Sequence, residues 1–380
     1  MNLLGDDVVK KRIKILIIPT GGLRREGITS SQLEYVKRLD CTRFSVTMAA
    51  VHNNAQDVID EFRSYGCRVV KLPDRKEKKN IFKYYKSLRT LMKKGFDIVH
   101  VHGSSGIMAM ELLIARQCGI KVRIAHSRNT RCDNNKIDKL LRPLFYREYT
   151  YALACGKEAG DWLFPGRRYE VLHNGKDFEK FCFDLDERIK VRRDLQLNGK
   201  IVYGHVGNIN EQKNHKFLIE VFYEIKKKQD NALLYIMGDG PLMNEIKDKV
   251  RKMGLNDDVV FAGRVDDVYR RLQAMDVMLF PSLFEGLPNV VLEWQAEGLP
   301  CLISDSITRE CMCTKLVNYM EIGKGPGAWA DQAIALLINA ESRKKLSEDA
   351  ILKLKKEGFD IEESVQKLTG IYTKLVGETC

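Results

Sequence analysis

Two glutamates stand eight positions apart in the stretch PSLFEGLPNVVLEWQAEGLP, residues 281–300. Glu285 precedes a Gly-Leu-Pro turn, and Glu293 falls inside the apolar segment that follows. A carboxylate accepts charge-assisted hydrogen bonds from hydroxyl groups, so two of them at the tip of one strand would suit a sugar-bearing ligand. The alternative is two ordinary surface groups, one capping the turn and one facing water from the side of a helix.

The segment after Glu285 predicts a helix from about Pro288 through Gln295, because proline is tolerated in the first turn of a helix. Its free amides would form a seat for a diphosphate. Glu293 would lie one to two turns further in, at about 1.5 Å per residue. The candidate donor-binding residues of this segment are Gly286, Leu287, Pro288, Asn289 and Glu293.

Other strand ends in the second half also suit an anionic ligand. In HVGNINEQKNHKFLIEVF, Lys213 stands just before a helix that follows a Gly-ended strand, where its ammonium could reach a phosphate. IMGDGP and FAGRVDDV add Gly238 and Arg264 at further strand ends. Ordinary turns would explain any one of these loops, but they explain the whole set less well.

The first half offers a weaker signal of the same kind. Its first strand ends in PTGGLRREGITSSQ, where Gly21 and Gly22 would let the backbone approach a phosphate closely. No GxGxxG follows this strand, so a dinucleotide-binding site finds no support.

Short apolar runs alternate with helix-period segments, which is typical of α/β proteins with parallel sheets. Strands are predicted at 13–19, 44–51, 68–73, 96–103, 121–128, 150–156 and 169–175, and then at 201–207, 232–240, 258–264, 276–282 and 300–306. We therefore expect two Rossmann-like domains with a linker near residues 176–200, followed by a helical tail.

Composition narrows the class of protein. With 380 residues, 44% of them hydrophobic, the chain has about the length of two ordinary domains. No apolar run approaches the roughly 20 residues that cross a bilayer, and the start lacks the pattern of a signal peptide. We expect a cytoplasmic protein whose ten scattered cysteines stay reduced.

The net charge of +12 is uneven. Residues 1–174 hold 33 Lys and Arg against 18 Asp and Glu, whereas the remaining 206 residues sum to −3. This asymmetry favours an anionic partner for the first half: nucleic acid, a phosphorylated substrate or an anionic membrane surface. The densest basic run, 74–94, has apolar residues at helical spacing between its lysines. It is either a solvated helix over a core or a face that meets a membrane.

Several of these motifs together resemble a known family. GNINEQKNH, IMGDGP, FAGRVDDV and PSLFEGLPNVVLEWQAEGLPCLISD are similar to the retaining glycosyltransferases of family four, which have the GT-B fold, and CLISDSITRE is similar to their capsule and exopolysaccharide branch. The similarity is clear over residues 200–306 and weaker before them. It implies an acceptor-binding domain at 1–175, a nucleotide-sugar-binding domain at 176–358, a cleft between them, and a terminal helix at 359–380 that packs back on the first domain.

The resemblance also implies roles for individual residues. Glu285 matches the glutamate near the donor sugar, Glu293 the one on the nucleotide ribose, and Lys213 the cation on the donor diphosphate. Gly22 matches the glycine at the mouth of the cleft, and His126, in RIAHSRNT, the histidine beside the transferred sugar. The expected catalytic residues are thus Glu285, His126 and Lys213.

One position departs from the family pattern. Asn208 stands where the family commonly has an arginine, so one phosphate cation is missing, and Arg24, Arg25 or Arg264 could replace it. The residues expected on the acceptor side are Arg24, Arg25, His102 and Arg128. No metal or other cofactor is expected, because Lys213 and helix amides can stabilise a leaving diphosphate. The DxD match at 184–186 is interpreted as a surface triplet.

The resemblance therefore predicts transfer of a hexose or N-acetylhexosamine from a nucleoside-diphosphate sugar, UDP above all, to a saccharide acceptor with retention of configuration. The acceptor is expected on a polyprenyl diphosphate at the inner face of the plasma membrane, where the basic first domain would bind peripherally. Three alternatives stay open: a GT-B nucleotide-sugar epimerase, a non-catalytic donor-binding subunit, and a nucleic-acid-binding protein. The last lacks any recognised nucleic-acid-binding motif, so no nucleic acid partner is expected.

Overall fold

The structure is a computed structural model that describes residues 12–24, 27–52, 54–75, 77–130, 132 and 135–379. The chain divides into two compact units. Unit 1 comprises Met1–Lys176 and Ile361–Cys380, and unit 2 comprises Asp177–Asp360.

Among its described residues, unit 1 contains a parallel sheet of seven strands. These are β1 (Ile13–Pro19), β2 (Phe44–Ala50), β3 (Arg68–Lys71), β4 (Ile98–Gly103), β5 (Val122–Ser127), β6 (Tyr151–Ala154) and β7 (Glu170–Val171), in the order β3-β2-β1-β4-β5-β6-β7. Its helices are α1 (Gly27–Arg38), α2 (Gln56–Ser64), α3 (Ile81–Met92), α4 (Ala109–Gln117), α5 (Asn135–Glu148), α6 (Lys157–Leu163) and α14 (Ile361–Gly377).

Unit 2 contains a second parallel sheet of six strands within the described residues. These are β8 (Ile201–Val206), β9 (Ala232–Met237), β10 (Val259–Gly263), β11 (Val277–Phe280), β12 (Cys301–Ser304) and β13 (Val317–Met320), in the order β10-β9-β8-β11-β12-β13. Its helices are α7 (Leu185–Asp194), α8 (His215–Lys226), α9 (Met243–Lys252), α10 (Val268–Leu272), α11 (Asn289–Ala296), α12 (Gly325–Ala335) and α13 (Ala340–Leu354). The α/β prediction of two Rossmann-like sheets is confirmed; β13 was not predicted.

Both faces of the unit 1 sheet are covered. Along β1, Ile15 and Ile17 belong to one apolar cluster, and Leu16 and Ile18 belong to the other, as the alternation of a strand requires. The first cluster includes residues of α1 and of the C-terminal helix α14, among them the fully buried Tyr372. Helix α14 therefore completes the core of unit 1, although it is encoded after unit 2.

The basic run at 74–94 forms helix α3 over part of its length. Tyr84, Leu88, Leu91 and Met92 are buried against the core, whereas Phe82 is 88% exposed. Some of the apolar side chains of α3 thus cover the core, whereas Phe82 is exposed to solvent. Among the described residues no helix has the length and apolar character needed to span a bilayer, and the described cysteines are free thiols.

Candidate functional site

The strand order of unit 2 reverses between β8 and β11, which is where ligands bind in open α/β sheets. Lys213 comes from the loop after β8, and Glu285 comes from the loop after β11. Lys213 Nζ donates a hydrogen bond to Glu285 Oε1 at 2.7 Å. The two side chains are only 15% and 10% exposed. The structure thus brings together two of the three residues expected to be catalytic.

Gln212 ties the two loops to each other. Its carbonyl oxygen accepts a hydrogen bond from the Leu283 amide at 2.8 Å, and its side-chain Nε2 donates to the Phe284 carbonyl at 2.9 Å. Asn210 Oδ1 accepts from the Lys213 amide at 3.1 Å and so shapes the turn. The relative position of Lys213 and Glu285 is therefore held by main-chain contacts as well as by their own ion pair.

Phe280 and Gly207 make room for the ammonium group. Lys213 Nζ lies 4.4 Å from the centroid of the Phe280 ring, in cation–π range. A Cβ atom on Gly207 would lie 3.1 Å from Lys213 Cε. A larger residue at this position would crowd the lysine side chain away from the strand end.

Gly238 brings the loop after β9 against the loop after β8. Its φ is +149°, and a Cβ atom there would lie 1.9 Å from the Gly207 carbonyl oxygen. The Gly238 amide donates to the Gly263 carbonyl at 2.8 Å, which links the end of β10 to the same edge. Arg264 follows that glycine and is exposed, as is Asn208 in the loop after β8.

The helix after Glu285 begins and ends one residue later than predicted. Helix α11 begins at Asn289, and Pro288 precedes it with an extended ψ of 103°. Proline fixes only φ, so the residue can stand just outside the helix. Glu293, four residues into the element, is 8% exposed. Because Glu293 is buried, the alternative in which it faces water from the side of a helix is wrong. Glu285 is also largely buried and pairs with Lys213.

Gly286, Leu287 and Asn289 are each partly buried next to the start of α11. The first turn of this helix carries no acidic residue that would compete with an anion. Their expected contact with a nucleotide sugar stays a prediction.

In unit 1, three histidines gather at the carboxyl ends of β4 and β5. His100 and His102 alternate on one face of β4, and His126 on β5 is the register partner of His102. All three are buried. The ring centroids of His100 and His102 are 4.1 Å apart, and those of His102 and His126 are 4.9 Å apart.

A chain of hydrogen bonds fixes the tautomers of two of these rings. Arg128 Nη1 lies 3.2 Å from His126 Nε2, and a guanidinium can only donate, so this nitrogen accepts. His126 Nδ1 then donates to His100 Nε2 at 3.2 Å. His100 Nδ1 in turn donates to the hydroxyl of Tyr372 at 2.8 Å. The chain runs from the end of β5 to the C-terminal helix α14.

These imidazoles are held neutral. Burial, followed by the charge of Arg128, lowers the pKa of His100 to about 3. Burial also lowers the pKa values of His102 and His126 well below their usual range, with Arg128 and the neighbouring rings adding to the effect. His126 can therefore act as a neutral hydrogen-bonding group near pH 7, not as an imidazolium acid.

The same three rings have nitrogen atoms within 4.8 Å of one another, a spacing that a metal ion could use. The hydrogen-bond chain already occupies both nitrogens of His100 and of His126. In addition, the His100 and His102 rings stack with 27° between their planes, so their in-plane lone pairs do not converge. The cluster fits a hydrogen-bonded chain better than a metal site.

The remaining predicted residues lie elsewhere in the two units or outside the described residues. Gly22 is buried after β1, and its carbonyl accepts from the Arg24 amide at 3.1 Å. Arg24 is partly buried, and Arg25 lies outside the described residues. The DxD triplet at 184–186 is exposed, as predicted, and Asp184 Oδ1 caps α7 by accepting from the Glu187 amide at 2.8 Å.

Comparison with known proteins identifies the family. Residues 200–339 match the family model described as Glycosyl transferases group 1. The chain is 30% identical over 370 residues to the putative glycosyltransferase EpsF of Bacillus subtilis (strain 168), a match that covers 92% of this chain and 94% of that relative. The chain belongs to the group 1 glycosyltransferases.

A second relative of this group 1 glycosyltransferase is the UDP-Gal:alpha-D-GlcNAc-diphosphoundecaprenol alpha-1,3-galactosyltransferase of Escherichia coli, 28% identical over 334 residues and 82% of each chain. Among solved structures, Anabaena Alr3699/HepE in complex with UDP and glucose superposes with a TM-score of 0.80 at 14% identity, over 95% of this chain and all of that one. At that identity the superposition shows a shared fold, which confirms the expected GT-B class.

Sequence reasoning about this group 1 glycosyltransferase missed some residues that position the site. Gln212 carries no sequence signal, because its contacts are made by its main-chain oxygen and by one amide group. Tyr372 lies 272 positions from His100, and only the fold brings them together. The H-x-H alternation at His100 and His102 was visible in the sequence, but it did not reveal their hydrogen-bond partners.

Proposed function

We propose that this glycosyltransferase moves a hexose or N-acetylhexosamine from a nucleoside-diphosphate sugar, UDP foremost, to a saccharide acceptor with retention of the anomeric configuration. The observation that carries the proposal is the buried Lys213–Glu285 pair at the point where the strand order of unit 2 reverses. A cation and a carboxylate held side by side suit a ligand that has a diphosphate on one side and sugar hydroxyls on the other.

Lys213 would stabilise the negative charge that grows on the leaving diphosphate. Amides at the start of α11 would add to that stabilisation, because the N-terminus of a helix favours an anion. The reaction needs no metal ion in this scheme. Glu285 would release the ammonium group as the phosphates arrive and accept hydrogen bonds from the sugar, while Glu293 would accept from the ribose.

Unit 1 would hold the acceptor. His126, neutral at working pH, would contact the transferred sugar, with Arg24, Arg25, His102 and Arg128 on the acceptor side. Gly22 would contact the donor. The E. coli relative is named for an acceptor on diphosphoundecaprenol, which supports a polyprenyl-diphosphate-linked acceptor here. The capsular polysaccharide biosynthesis glycosyltransferase CapH of Staphylococcus aureus, 25% identical over 374 residues, supports a place in polysaccharide biosynthesis.

A lipid-linked acceptor would bring the protein to the inner face of the plasma membrane. Helices α3 and α5 both pack against α4, and each exposes an apolar side chain, Phe82 at 88% and Leu140 at 77%. Exposed lysines, Lys83 and Lys139, adjoin them. This combination suits peripheral binding to an anionic bilayer.

The decisive experiment measures UDP release from UDP-sugars with a panel of saccharide-diphosphate acceptors. Glu285→Gln and Lys213→Ala should each reduce turnover by about 100-fold or more, because each removes an interaction that strengthens in the transition state. Lys216→Ala is the matched control: this neighbour forms an exposed ion pair with Glu245 at 2.7 Å and should leave turnover unchanged. EDTA should not change the rate, and the anomeric proton of the product should report retention by NMR.

Unchanged turnover in both Glu285→Gln and Lys213→Ala would remove the proposal. Conversion of the UDP-sugar to its epimer without an acceptor would support the epimerase alternative instead. Tight donor binding without turnover on any acceptor would support the non-catalytic subunit.

Membrane binding has its own test with liposomes of anionic or neutral lipid. Phe82→Ser should weaken sedimentation with anionic liposomes several-fold, because it removes an apolar anchor. Leu352→Ser, at a 68% exposed position in unit 2, is the control and should bind like the wild type. Equal loss in both variants would contradict a specific membrane-binding face on α3.

A further inference from the structure

Arg128 is a buried cation with most of its hydrogen-bonding capacity unused. It follows β5, and its amide donates to the Gly103 carbonyl at 3.0 Å, which fixes its backbone. The residue is only 7% exposed. Its Nη1 bonds His126, but Nε and Nη2 are buried and have no hydrogen-bond partner in the described part of the chain.

No carboxylate neutralises this guanidinium among the residues that the structure describes. Its charge interacts with the phenol of Tyr35, the thiol of Cys155 and the imidazoles of His100, His102 and His126. Burial raises the pKa of Tyr35, so that phenol stays uncharged near pH 7. An unpaired buried charge is strongly unfavourable, and native proteins pair such groups.

The buried Arg343 and the partly buried Arg123 show what full pairing looks like. Arg343 donates to four main-chain carbonyls and to the carboxylate of Glu297. On the same strand as His126, Arg123 donates from Nε to the Glu148 carbonyl at 2.7 Å and from Nη1 to the Ile120 carbonyl at 2.8 Å. Within the described part of the chain Arg128 has no such set of partners, so its burial is not explained by these contacts alone.

Two more buried polar side chains with unused atoms lie on the same face of the sheet. Both ring nitrogens of His102 and both amide atoms of Gln32 have no partner in the described chain. Gln32 stands one turn before Tyr35 on α1, and the charge of Arg128 acts on both Tyr35 and His102. Unsatisfied buried polar atoms are rare, so several in one region indicate a ligand that satisfies them.

We propose that Arg128 binds an anionic group with paired oxygens, a phosphate or a carboxylate, carried by the saccharide acceptor. The planar guanidinium offers Nε and Nη2 side by side, which matches two oxygens of such a group. His102 and Gln32 would bond neighbouring hydroxyls. The assignment to the acceptor rests on the proposed function, in which Lys213 of unit 2 already serves the donor diphosphate.

A stability measurement distinguishes a ligand-binding arginine from a structural one. Without ligand, Arg128→Gln should raise the Tm by about 2 °C or more, because it removes an uncompensated buried charge. Arg123→Gln, on the strand β5 that precedes Arg128, is the control and should lower the Tm, because its carbonyl partners lose their donor. A fall in the Tm of Arg128→Gln as large as that of Arg123→Gln would overturn the proposal.

Anion binding is measured in the Lys213→Ala background, which weakens binding at the donor site. Inorganic phosphate, pyrophosphate or glucuronate should raise the Tm of Lys213→Ala by mass action but not that of Lys213→Ala/Arg128→Gln. A response to the phosphates alone identifies a phosphorylated acceptor, and a response to glucuronate alone identifies an acidic sugar. Equal responses of both proteins to every probe would overturn the subsite.

Kinetics separate the failure of this subsite from the failure of the proposed function. With an active acceptor, Arg128→Gln should raise the acceptor KM by about 10-fold or more and leave the donor KM within about 2-fold. Normal acceptor KM in Arg128→Gln, with turnover intact, would refute the subsite and leave the transferase proposal standing. Anion binding at Arg128 without any transfer would refute the transferase proposal and leave the subsite standing.

Discussion

The sheets of the two units have the same strand order at their centres, but the charged groups near the reversal of that order differ in how they are paired. In unit 2 the strand order reverses between two loops that carry a cation and a carboxylate, and these neutralise each other at 2.7 Å. In unit 1 the corresponding edge carries neutral histidines and a guanidinium with two nitrogens that have no hydrogen-bond partner among the described residues. In unit 2 an incoming anion would replace Glu285 as the partner of Lys213. In unit 1 an incoming anion would pair with Arg128 without displacing another carboxylate.

This contrast suggests how ligands change each unit. A diphosphate in unit 2 would compete with Glu285 for Lys213, so donor binding would rearrange an existing ion pair. An anion in unit 1 would satisfy groups that are unsatisfied without it. Anion binding should therefore raise the stability of unit 1 by more than the number of newly formed contacts would suggest.

The largest expected effect is on stability at acidic pH. Unit 1 should be destabilised by acid more than unit 2 is. Native His100 has a pKa of about 3 and native His215 of about 4, whereas an unfolded histidine titrates near 6.5. Below pH 6.5 the unfolded chain binds protons that the native chain does not, so stability falls as the pH falls, by roughly 1.4 kcal/mol per pH unit for each such histidine.

Unit 1 holds three of these histidines, and unit 2 holds His205 and His215. Unit 2 also holds Glu297, whose pKa burial raises well above its usual range. That carboxyl binds a proton more readily in the native state, which partly offsets the loss on acidification. Hydrogen-exchange mass spectrometry between pH 7 and 5 should show unit 1 losing protection first; earlier loss in unit 2 would contradict the comparison.

The next effect tests whether the Lys213–Glu285 pair is a reaction device or only a stabilising contact. Lys213→Glu alone should lower stability, because it places two carboxylates together in a largely buried site. Combining it with Glu285→Lys should restore much of the Tm, yet turnover should stay about 100-fold or more below the wild type. Recovery of UDP release in the double variant would show that only the pairing matters.

A smaller effect concerns the glycine that lets two loops of unit 2 touch. Gly238→Ala should destabilise the protein by about 2 kcal/mol or more, because the new Cβ would meet the Gly207 carbonyl oxygen at 1.9 Å. The control, Gly254→Ala, also has a positive φ of +71° but no atom within 4 Å, and should cost about 1 kcal/mol. Equal midpoints in urea denaturation of the two variants would refute the close approach.

The smallest expected effect tests the hydrogen-bond chain of unit 1. Tyr372→Phe leaves His100 Nδ1 without its acceptor and should cost about 1 kcal/mol in urea denaturation. Tyr203→Phe removes a comparable bond to Gln229, at 2.7 Å in unit 2, and is the control. Only Tyr372→Phe should move the imidazole nitrogen resonances of His100 and His126. If these resonances are the same in Tyr372→Phe and in the wild type, the hydrogen-bond chain is contradicted.

The sequence predicted the sheets well because their strands are buried on both sides and read as short apolar runs. It also indicated that Lys213 and Glu285 lie in one region, since strand ends and a Gly-Leu-Pro turn leave local patterns, and the structure pairs the two. The contact of Glu293 with the same ligand stays a prediction. It could not place Tyr372 beside His100, because that contact depends on where a distant helix returns. It grouped Arg128 with acceptor-side residues but could not show that its charge is unpaired, because burial and partners are properties of the folded chain.

Helix α14 has a consequence for synthesis on the ribosome. Unit 2 is one uninterrupted segment, Asp177–Asp360, but unit 1 needs Ile361–Cys380 to finish its core. The second unit can therefore become native while the first still waits for helix α14, which is translated after it. A nascent chain stalled before Ile361 would leave the apolar patch that α14 covers available to chaperones.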